Sequence, residues 1–256
     1  MRIYVLTQED AFYIPLIIDY LLAERRDVVG VGLVPGELRT AHVGRYVRMM
    51  GPRDFLLQSL NLVVHRFCAL IGRLVPLSRS FSVTHAARRA RVPLEVVRGV
   101  NRPAFVESLR SRGVDLIVSI ACPEKLKGDL LGVPRHGCIN LHGALLPRYQ
   151  GLLPSFWVLA RGERETGVTV HYMDESIDRG DIILQERVPI EDRDTVHSLV
   201  HRSKVRVGRY ALVRAIGLIE RGEAPRREMD FTQASRFSYP DDRALREFRA
   251  RGRRFI

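Results

Sequence analysis

An α/β fold, with an open and mostly parallel sheet flanked by helices, is predicted by three features of this chain. Its opening reads strand, helix, strand: Arg2–Thr7 is a buried strand, Phe12–Glu24 carries apolar residues at helical spacing, and Val28–Val34 is a second strand. Strand-like and helix-like segments then keep alternating, as crossover connections between parallel strands require. The 256 residues suffice for one full core and leave little for a second domain.

The connection after the first strand, TQEDAFYIP, contains no glycine, so the backbone nest of a GxGxxG turn is missing and no dinucleotide cofactor is expected. Residues 51–90 read as a helical insertion. Within it, FLLQSLNLVVHRFCALIGRLVPL is long, largely apolar and helical, but His65, Arg66 and Arg73 argue against a membrane span, because an arginine at the bilayer centre is costly. Two readings remain. The more ordinary is an inserted helix packing its apolar stripe on the core or on a partner subunit. The sharper is an interfacial helix that rests residues 55–76 on a membrane.

Asn101, followed by Pro103, is read as the N-cap of the next helix. Asp115–Ala121 follows as a strand, Glu124–Leu131 as a short helix, and then a strand that delivers Asn140 and His142. Ser155–Arg161 is expected as helix, and Val168–Met173 and Ile182–Ile190 as strands. Asp194 is expected to cap a long amphipathic helix from Thr195 to about Glu220. A catalytic domain over residues 1–220 thus leaves residues 221–256 as a short extension. In it, Phe231–Pro240 either returns over the site or forms a hairpin, and RALREFRARGRRF reads as a basic helix with a solvated face.

The net charge of +12 invites a nucleic-acid partner, but it is almost all arginine, with lysine only at Lys125, Lys127 and Lys204. Genome base composition explains such a skew as well as a ligand does. No aromatic residues interleave with the basic ones to form a stacking platform, so nucleic-acid binding is not expected. Three widely spaced cysteines, Cys68, Cys122 and Cys138, form no CxxC pair and read as reduced thiols. The amino terminus shows no export signal, and a cytoplasmic location is expected.

Asn140 and His142 stand two apart on a strand, so both side chains turn to one face. Gly143, the Leu146-Pro147 pair and Gly151 end regular structure just beyond them and start a shaped loop, and Asp178 lies in a turn before Gly180. Singly, each of the three polar residues has an ordinary role: the asparagine as a cap, the histidine as a satisfied core group, the aspartate as a turn former.

Together with their context they say more. INLHGALLPRYQG from Ile139, MDESIDRGDIILQ from Met173 and DLIVSIACPEKL from Asp115 closely resemble the 10-formyltetrahydrofolate-dependent formyltransferase family, which includes methionyl-tRNA, sugar-nucleotide and glycinamide ribonucleotide formyltransferases. Roughly residues 95–200 follow the family pattern in order and spacing. The resemblance implies a Rossmann-like sheet, 10-formyltetrahydrofolate as cosubstrate, no metal, and Asn140, His142 and Asp178 as catalytic residues. The choice of Asp178 over Asp174 or Asp181 rests on the resemblance alone. It further implies a folate pocket between Cys122, Pro123, Glu124, Lys125 and Leu126 on one side and Asp174, Glu175 and Ser176 on the other, with Cys138 beside it. Cys122 and Cys138 are assigned packing, since neither has a base nearby in sequence. Glu124 stands where the family can carry arginine and would repel the glutamate tail of folate, unless Lys125 and Lys127 offset it.

Formyl transfer to an amine passes through a tetrahedral intermediate and needs an oxyanion donor and a proton route. Asn140 would donate its amide N–H to the formyl oxygen, and protonated His142 would donate to the oxyanion. Asp178 would raise the His142 pKa so that the imidazolium persists near neutrality. His171 alternates with Val170 and Tyr172 and is read as structural. The expected acceptor is the primary amine of a small or nucleotide-linked metabolite, in the first place an amino sugar. The absent glycine loop weighs against glycinamide ribonucleotide, and the short segment after Arg221 against the β-barrel domain of methionyl-tRNA formyltransferases. A methionyl-tRNA enzyme, a formyltetrahydrofolate hydrolase and a non-catalytic folate or membrane-surface binder are the alternatives. A homodimer is expected by analogy with the sugar enzymes.

Overall fold

A computed structural model describes residues 1–36, 41–72, 75 and 77–256. In chain order the elements are β1 (Ile3–Thr7), α1 (Ile14–Glu24), β2 (Val28–Leu33), α2 (Ala41–Met50), α3 (Pro52–Ile71), α4 (Val83–Arg89), β3 (Leu94–Val96), α5 (Pro103–Ser111), β4 (Leu116–Ile120), α6 (Gly128–Leu131), β5 (Cys138–His142), β6 (Gln150–Gly151), α7 (Pro154–Arg161), β7 (Glu165–Tyr172), β8 (Ile182–Pro189), α8 (Val196–Val200), α9 (Arg209–Glu220), β9 (Arg236–Phe237) and α10 (Asp242–Ala250). Among the described residues seven strands form the main sheet in the order β3-β2-β1-β4-β5-β7-β8. Strands β3 to β5 pair in parallel, whereas β7 runs antiparallel to both β5 and β8. β1 and β4 are wholly buried, which is why they are runs of apolar residues and not alternating ones. Strand order reverses at β1, and the loops that leave the carboxyl ends of β1, β4 and β5 therefore border a crevice, the usual ligand position in open α/β sheets.

Several expectations change. Asn101 does not cap α5. Its side chain accepts from the Lys127 N–H and donates to the Lys125 carbonyl, tying that loop down, while Arg102 takes the capping position. Thr195, not Asp194, caps α8, in a reciprocal box with Ser198; Asp194 sits one residue earlier and accepts from Ser198 Oγ. The single long helix expected to Glu220 is interrupted by a π-helical stretch, His201–Gly208, between α8 and α9.

The insertion departs most. α3 turns its polar residues Asp54, Gln58 and His65 toward the protein and its apolar residues outward, so its apolar stripe does not pack on the core. Asp54 is buried because its carboxylate accepts the Phe255 and Ile256 N–H groups. The last expected residues of this helical segment, Arg73, Leu74 and Pro76, lie outside the described residues.

The carboxy-terminal extension is neither a hairpin nor merely solvated. β9 pairs in parallel with β6, so the segment returns beside the loop that follows β5. α10 is amphipathic: Ala244, Leu245 and Phe248 are buried, and the Phe248 ring lies 4.8 Å from that of Phe156 on α7. Phe255 stacks on the same Phe156 ring at 5.7 Å. Removing a buried aromatic leaves a cavity as well as losing transfer energy, so Phe248→Ala is expected to cost about 3–5 kcal/mol. Exposed Arg246→Ala on the same helix should stay within about 0.5 kcal/mol of the parent. Urea midpoints of the two variants check this; equal midpoints would mean that α10 is not integral to the fold.

Candidate active site

β5 ends in His142, and the chain then turns sharply through Gly143 into a loop that reaches Gly151. Thr169 of β7 holds the first part of this loop, its hydroxyl donating to the Ala144 carbonyl at 2.7 Å and accepting the Leu146 N–H at 3.0 Å. Gln185 of β8 adds a bond to the Leu146 carbonyl at 2.8 Å. The second part is held by the extension: Ser235 Oγ accepts the Tyr149 N–H, and the Phe237 ring stacks between Tyr149 and Trp157. Gly151 has φ +92°, and a Cβ there would stand 2.2 Å from the Phe237 carbonyl oxygen, so only glycine lets the two strands meet.

This framing brings the three expected polar residues together. Asp178, in a left-handed backbone conformation at φ +55°, turns its carboxylate back under β5. One oxygen accepts the Gly151 N–H at 2.8 Å and lies 3.5 Å from His142 Nδ1. The other lies 3.5 Å from Asn140 Nδ2. Gln150 fixes the aspartate from the main-chain side, donating to the Asp178 carbonyl at 2.9 Å.

The tautomer of His142 follows from its partner. Nε2 is 2.9 Å from the Tyr149 carbonyl, which can only accept, so Nε2 carries a proton and in the neutral ring Nδ1 is a bare acceptor facing Asp178. Burial depresses the His142 pKa below its ordinary value of 6.5; Asp178 opposes this, while Lys204 and His171 reinforce it. The expected resting imidazolium is thus replaced by a neutral imidazole, because desolvation outweighs the single carboxylate. Burial raises the Asp178 pKa, but its coupling to His142 and His171, which acts when those rings carry an extra proton, and the Gly151 N–H bond hold the carboxyl well below its usual range.

Two further residues belong to this cluster. His171 does alternate with Val170 and Tyr172, but the antiparallel register sets it directly opposite Asn140, on the same face of the sheet. Its Nδ1 donates to the Tyr172 carbonyl at 2.7 Å, which leaves Nε2 to accept the Asn140 amide N–H at 3.2 Å. Lys204 comes from the π-helical stretch, where its stem lies over Gly143; a Cβ on that glycine would stand 2.6 Å from Lys204 Cε. Burial lowers the Lys204 pKa, against the pull of Asp178 and Asp10. The sequence held only a faint sign of it, a lysine retained in an arginine-rich chain.

The residues expected around folate divide into rim and core. Pro123 and Lys125 are exposed after β4, facing the exposed Asp174, Glu175 and Ser176 of the other loop, and Glu175 accepts the Gly128 N–H at 3.1 Å to join the two. Asp174 closes a turn by accepting the Ser176 N–H. Glu124 does not project its charge into the cleft: its oxygens accept the Gly99 and Val100 N–H groups at 3.2 and 2.9 Å. Cys122 is half-buried, its thiol pushed up to about 11 by burial. Leu126 and Cys138 are buried in the apolar cluster between β4 and α5, with Cys138 pushed up to about 12, and they offer a ligand no side-chain surface. Among the described residues no cluster could hold a metal ion.

Comparison with known proteins identifies relatives of the chain. The chain is 35% identical over 198 residues to the methionyl-tRNA formyltransferase of Syntrophus aciditrophicus, covering 74% of this chain and 63% of that protein. It is 40% identical over 148 residues to the methionyl-tRNA formyltransferase of Halothermothrix orenii, covering 58% and 46%. The chain therefore spans about half to three-fifths of the length of such relatives. Its fold is similar to an N-formyltransferase from Helicobacter canadensis in complex with folinic acid and dTDP-3-aminofucose, with a TM-score of 0.60 at 18% identity over 93% of this chain and 71% of that one. The phosphoribosylglycinamide formyltransferase of Anaplasma phagocytophilum also matches, with a TM-score of 0.60 at 20% identity over 87% and 88%. The formyl transferase family model covers residues 78–216, the stretch that carries β5, Asp178, His171 and Lys204, and the chain belongs to that family.

Proposed function

We propose that this chain is an N-formyltransferase that moves a formyl group from 10-formyltetrahydrofolate to a primary amine. The observation that carries the reading is the convergence of Asn140, His142 and Asp178 at the end of β5, with His142 Nδ1 3.5 Å from the carboxylate that would stabilise it once protonated. The folate-side residues fit such a cosubstrate, since the Glu124 oxygens are engaged by backbone N–H groups and Pro123 and Lys125 are left on the rim.

The chemistry assigns each group a task. The amine nitrogen bonds to the formyl carbon while the bond from that carbon to the folate nitrogen breaks, so one proton must leave the attacking nitrogen and one must reach the leaving nitrogen. Asn140 spends one amide N–H on His171 and turns the other toward Asp178 at the limit of bonding distance, which leaves it available to a formyl oxygen. His142 Nδ1 receives the amine's proton and returns it to the leaving nitrogen, and the Asp178 carboxylate compensates the imidazolium in between. His142 therefore starts as a base and not, as the sequence reading had it, as an acid.

For the acceptor we favour an amino sugar carried on a nucleotide. Arg179, next to Asp178, lies over the exposed Phe231 ring at 4.3 Å, a cation beside an aromatic face that suits a phosphate and a base. The sequence relatives favour methionyl-tRNA as the second reading. With 10-formyltetrahydrofolate present, release of tetrahydrofolate should follow addition of dTDP-linked amino sugars. Turnover with methionyl-tRNA alone would replace the sugar reading, and turnover without any amine would replace transfer by hydrolysis.

His142→Ala and Asp178→Asn should each lower kcat by about 10²–10⁴-fold while the thermal midpoint changes little; near-parental rates would remove both from the proton path. The pH dependence has a definite sign. Because the folded-state pKa of His142 lies below 6.5, the unfolded chain takes up the proton first as pH falls, so stability drops as pH is lowered from 6.5. The acidic limb of kcat/KM should likewise lie below pH 6.5. Followed by NMR, the His142 titration should move up in Lys204→Met and further down in Asp178→Asn; the opposite pair of shifts would refute this electrostatic account.

A further inference from the structure

The outward face of α3 has no role in the site and, among the described residues, no cover. Leu56, Leu60, Val63, Val64, Phe67 and Leu70 are all exposed, Leu56 at 69% and Phe67 at 62%. α3 is also long and apolar enough to span a bilayer by length and composition. It does not lie as a span would, however, because its polar side is committed to the protein. Asp54 holds the last two backbone N–H groups, and the His65 ring is packed between Phe12 at 5.0 Å and Phe81 at 5.3 Å. A helix so tied lies flat on the molecule with one apolar side free, the form of an interfacial helix. Apolar surface this continuous marks a binding face.

Charge distribution identifies what it binds. Residues 38–94 contain ten arginines and a single acid, Asp54, which is buried, so this stretch carries nine of the chain's twelve net positive charges. The local excess of positive charge comes mainly from the scarcity of acids in this stretch, and little from a higher density of arginine. Arg53 and Arg66 flank the apolar side on α3, and Arg45 and Arg48 are exposed on neighbouring α2. A cavity of about 710 Å³ opens between α3 and α4, lined by Arg66, Arg88, Arg89 and Leu70, and by one acid, Glu9, whose carboxylate is occupied by the Val83 N–H and the Thr84 hydroxyl. His85 also lines it; this residue is 9% exposed, and its Nδ1 has no partner. Apolar surface bordered by arginines, beside a cavity that is cationic and apolar at once, matches an acyl layer beneath anionic headgroups. A second copy of the chain fits poorly, because symmetric pairing through this face would oppose the two most basic regions. Nucleic acid would meet arginines around a mainly aliphatic face, Leu56, Leu60, Val63, Val64 and Leu70, and not the interleaved aromatic rings on which bases stack.

We propose that the chain docks peripherally on anionic membrane surfaces through the outward face of α3, with an anionic headgroup entering the cavity between α3 and α4. His65 of α3 bonds to the Ala11 carbonyl in the β1–α1 loop, on the border of the catalytic crevice, so a docked molecule holds the mouth of its site near the lipid.

Flotation of the full chain with vesicles tests this without reference to enzymatic turnover. The chain should float with phosphatidylglycerol-containing vesicles, less with pure phosphatidylcholine, and less again as salt is raised. Leu60→Glu/Phe67→Glu should cut the lipid-bound fraction by about tenfold or more, with circular dichroism and thermal midpoint unchanged because both side chains face solvent. Arg66→Gln/Arg88→Gln should weaken binding to anionic vesicles selectively. Failure of the parent chain to float at low salt, or equal flotation of parent and Leu60→Glu/Phe67→Glu, would overturn the proposal. So would a concentration-dependent dimer in sedimentation that the same double variant dissolves while lipid binding is absent. RNA binding that is lost in Arg66→Gln/Arg88→Gln, again without flotation, would assign the arginines to nucleic acid instead.

Discussion

An ionised carboxylate can stay out of water only where donors and compensating charge replace its hydration, and Asp178 sets that requirement for the loops around it. The Gly151 N–H supplies one donor, Asn140 approaches the other oxygen, and Gln150 pins the main chain. All three come from β5 and the loop that follows it, whereas Asp178 lies beyond β7. Meeting the requirement fixes the loop after β5 against the loop after β7, and that junction gives His142 its two neighbours, the Tyr149 carbonyl and the carboxylate.

The rest of the structure serves this junction at longer range. β7 supplies Thr169 to hold the start of the loop and His171 to orient Asn140. The extension places Ser235 and Phe237 on the end of the loop, and α10 and Phe255 secure the extension through Phe156. The same terminus reaches α3, since Asp54 accepts its last two N–H groups. The proposed membrane face and the catalytic loop are thus both in contact with the carboxy-terminal extension, although their functions are separate.

Electrostatically the site is built on competition. Burial of the imidazole and the nearby Lys204 favour neutral His142, while Asp178 favours the cation. A ring that is neutral at rest but has a carboxylate waiting beside it suits a group that must accept a proton and then give it up. The π-helical stretch contributes by carrying Lys204, and the absence of a side chain at Gly143 leaves room for the lysine stem. Such widened helical turns recur at functional sites for this reason: they redirect a side chain that a regular helix would aim elsewhere.

Periodicity and local chemistry were enough to read the strands β1, β2, β4, β5, β7 and β8, the helices α1 and α7, and the pairing of Asn140 with His142 on one face, because those properties depend on neighbours a few residues away. The identity of Asp178 among three nearby aspartates came from family resemblance, and its contacts were invisible locally. Strand register decided the role of His171: the alternation was legible, but not which residue would stand across from it. Burial and the approach of Lys204 decided the protonation of His142, where sequence adjacency suggested only the attraction of a carboxylate. The outward apolar face of α3 also required the tertiary structure. A helix pattern gives two faces, and only packing partners, here Asp54 with the terminus and His65 between two rings, determine which one meets the protein. The chain by itself determined most of its strands and the shared face of Asn140 and His142. Only the fold decided their protonation, their supporting residues and the direction each surface faces, since these depend on burial and on contacts between residues far apart in sequence.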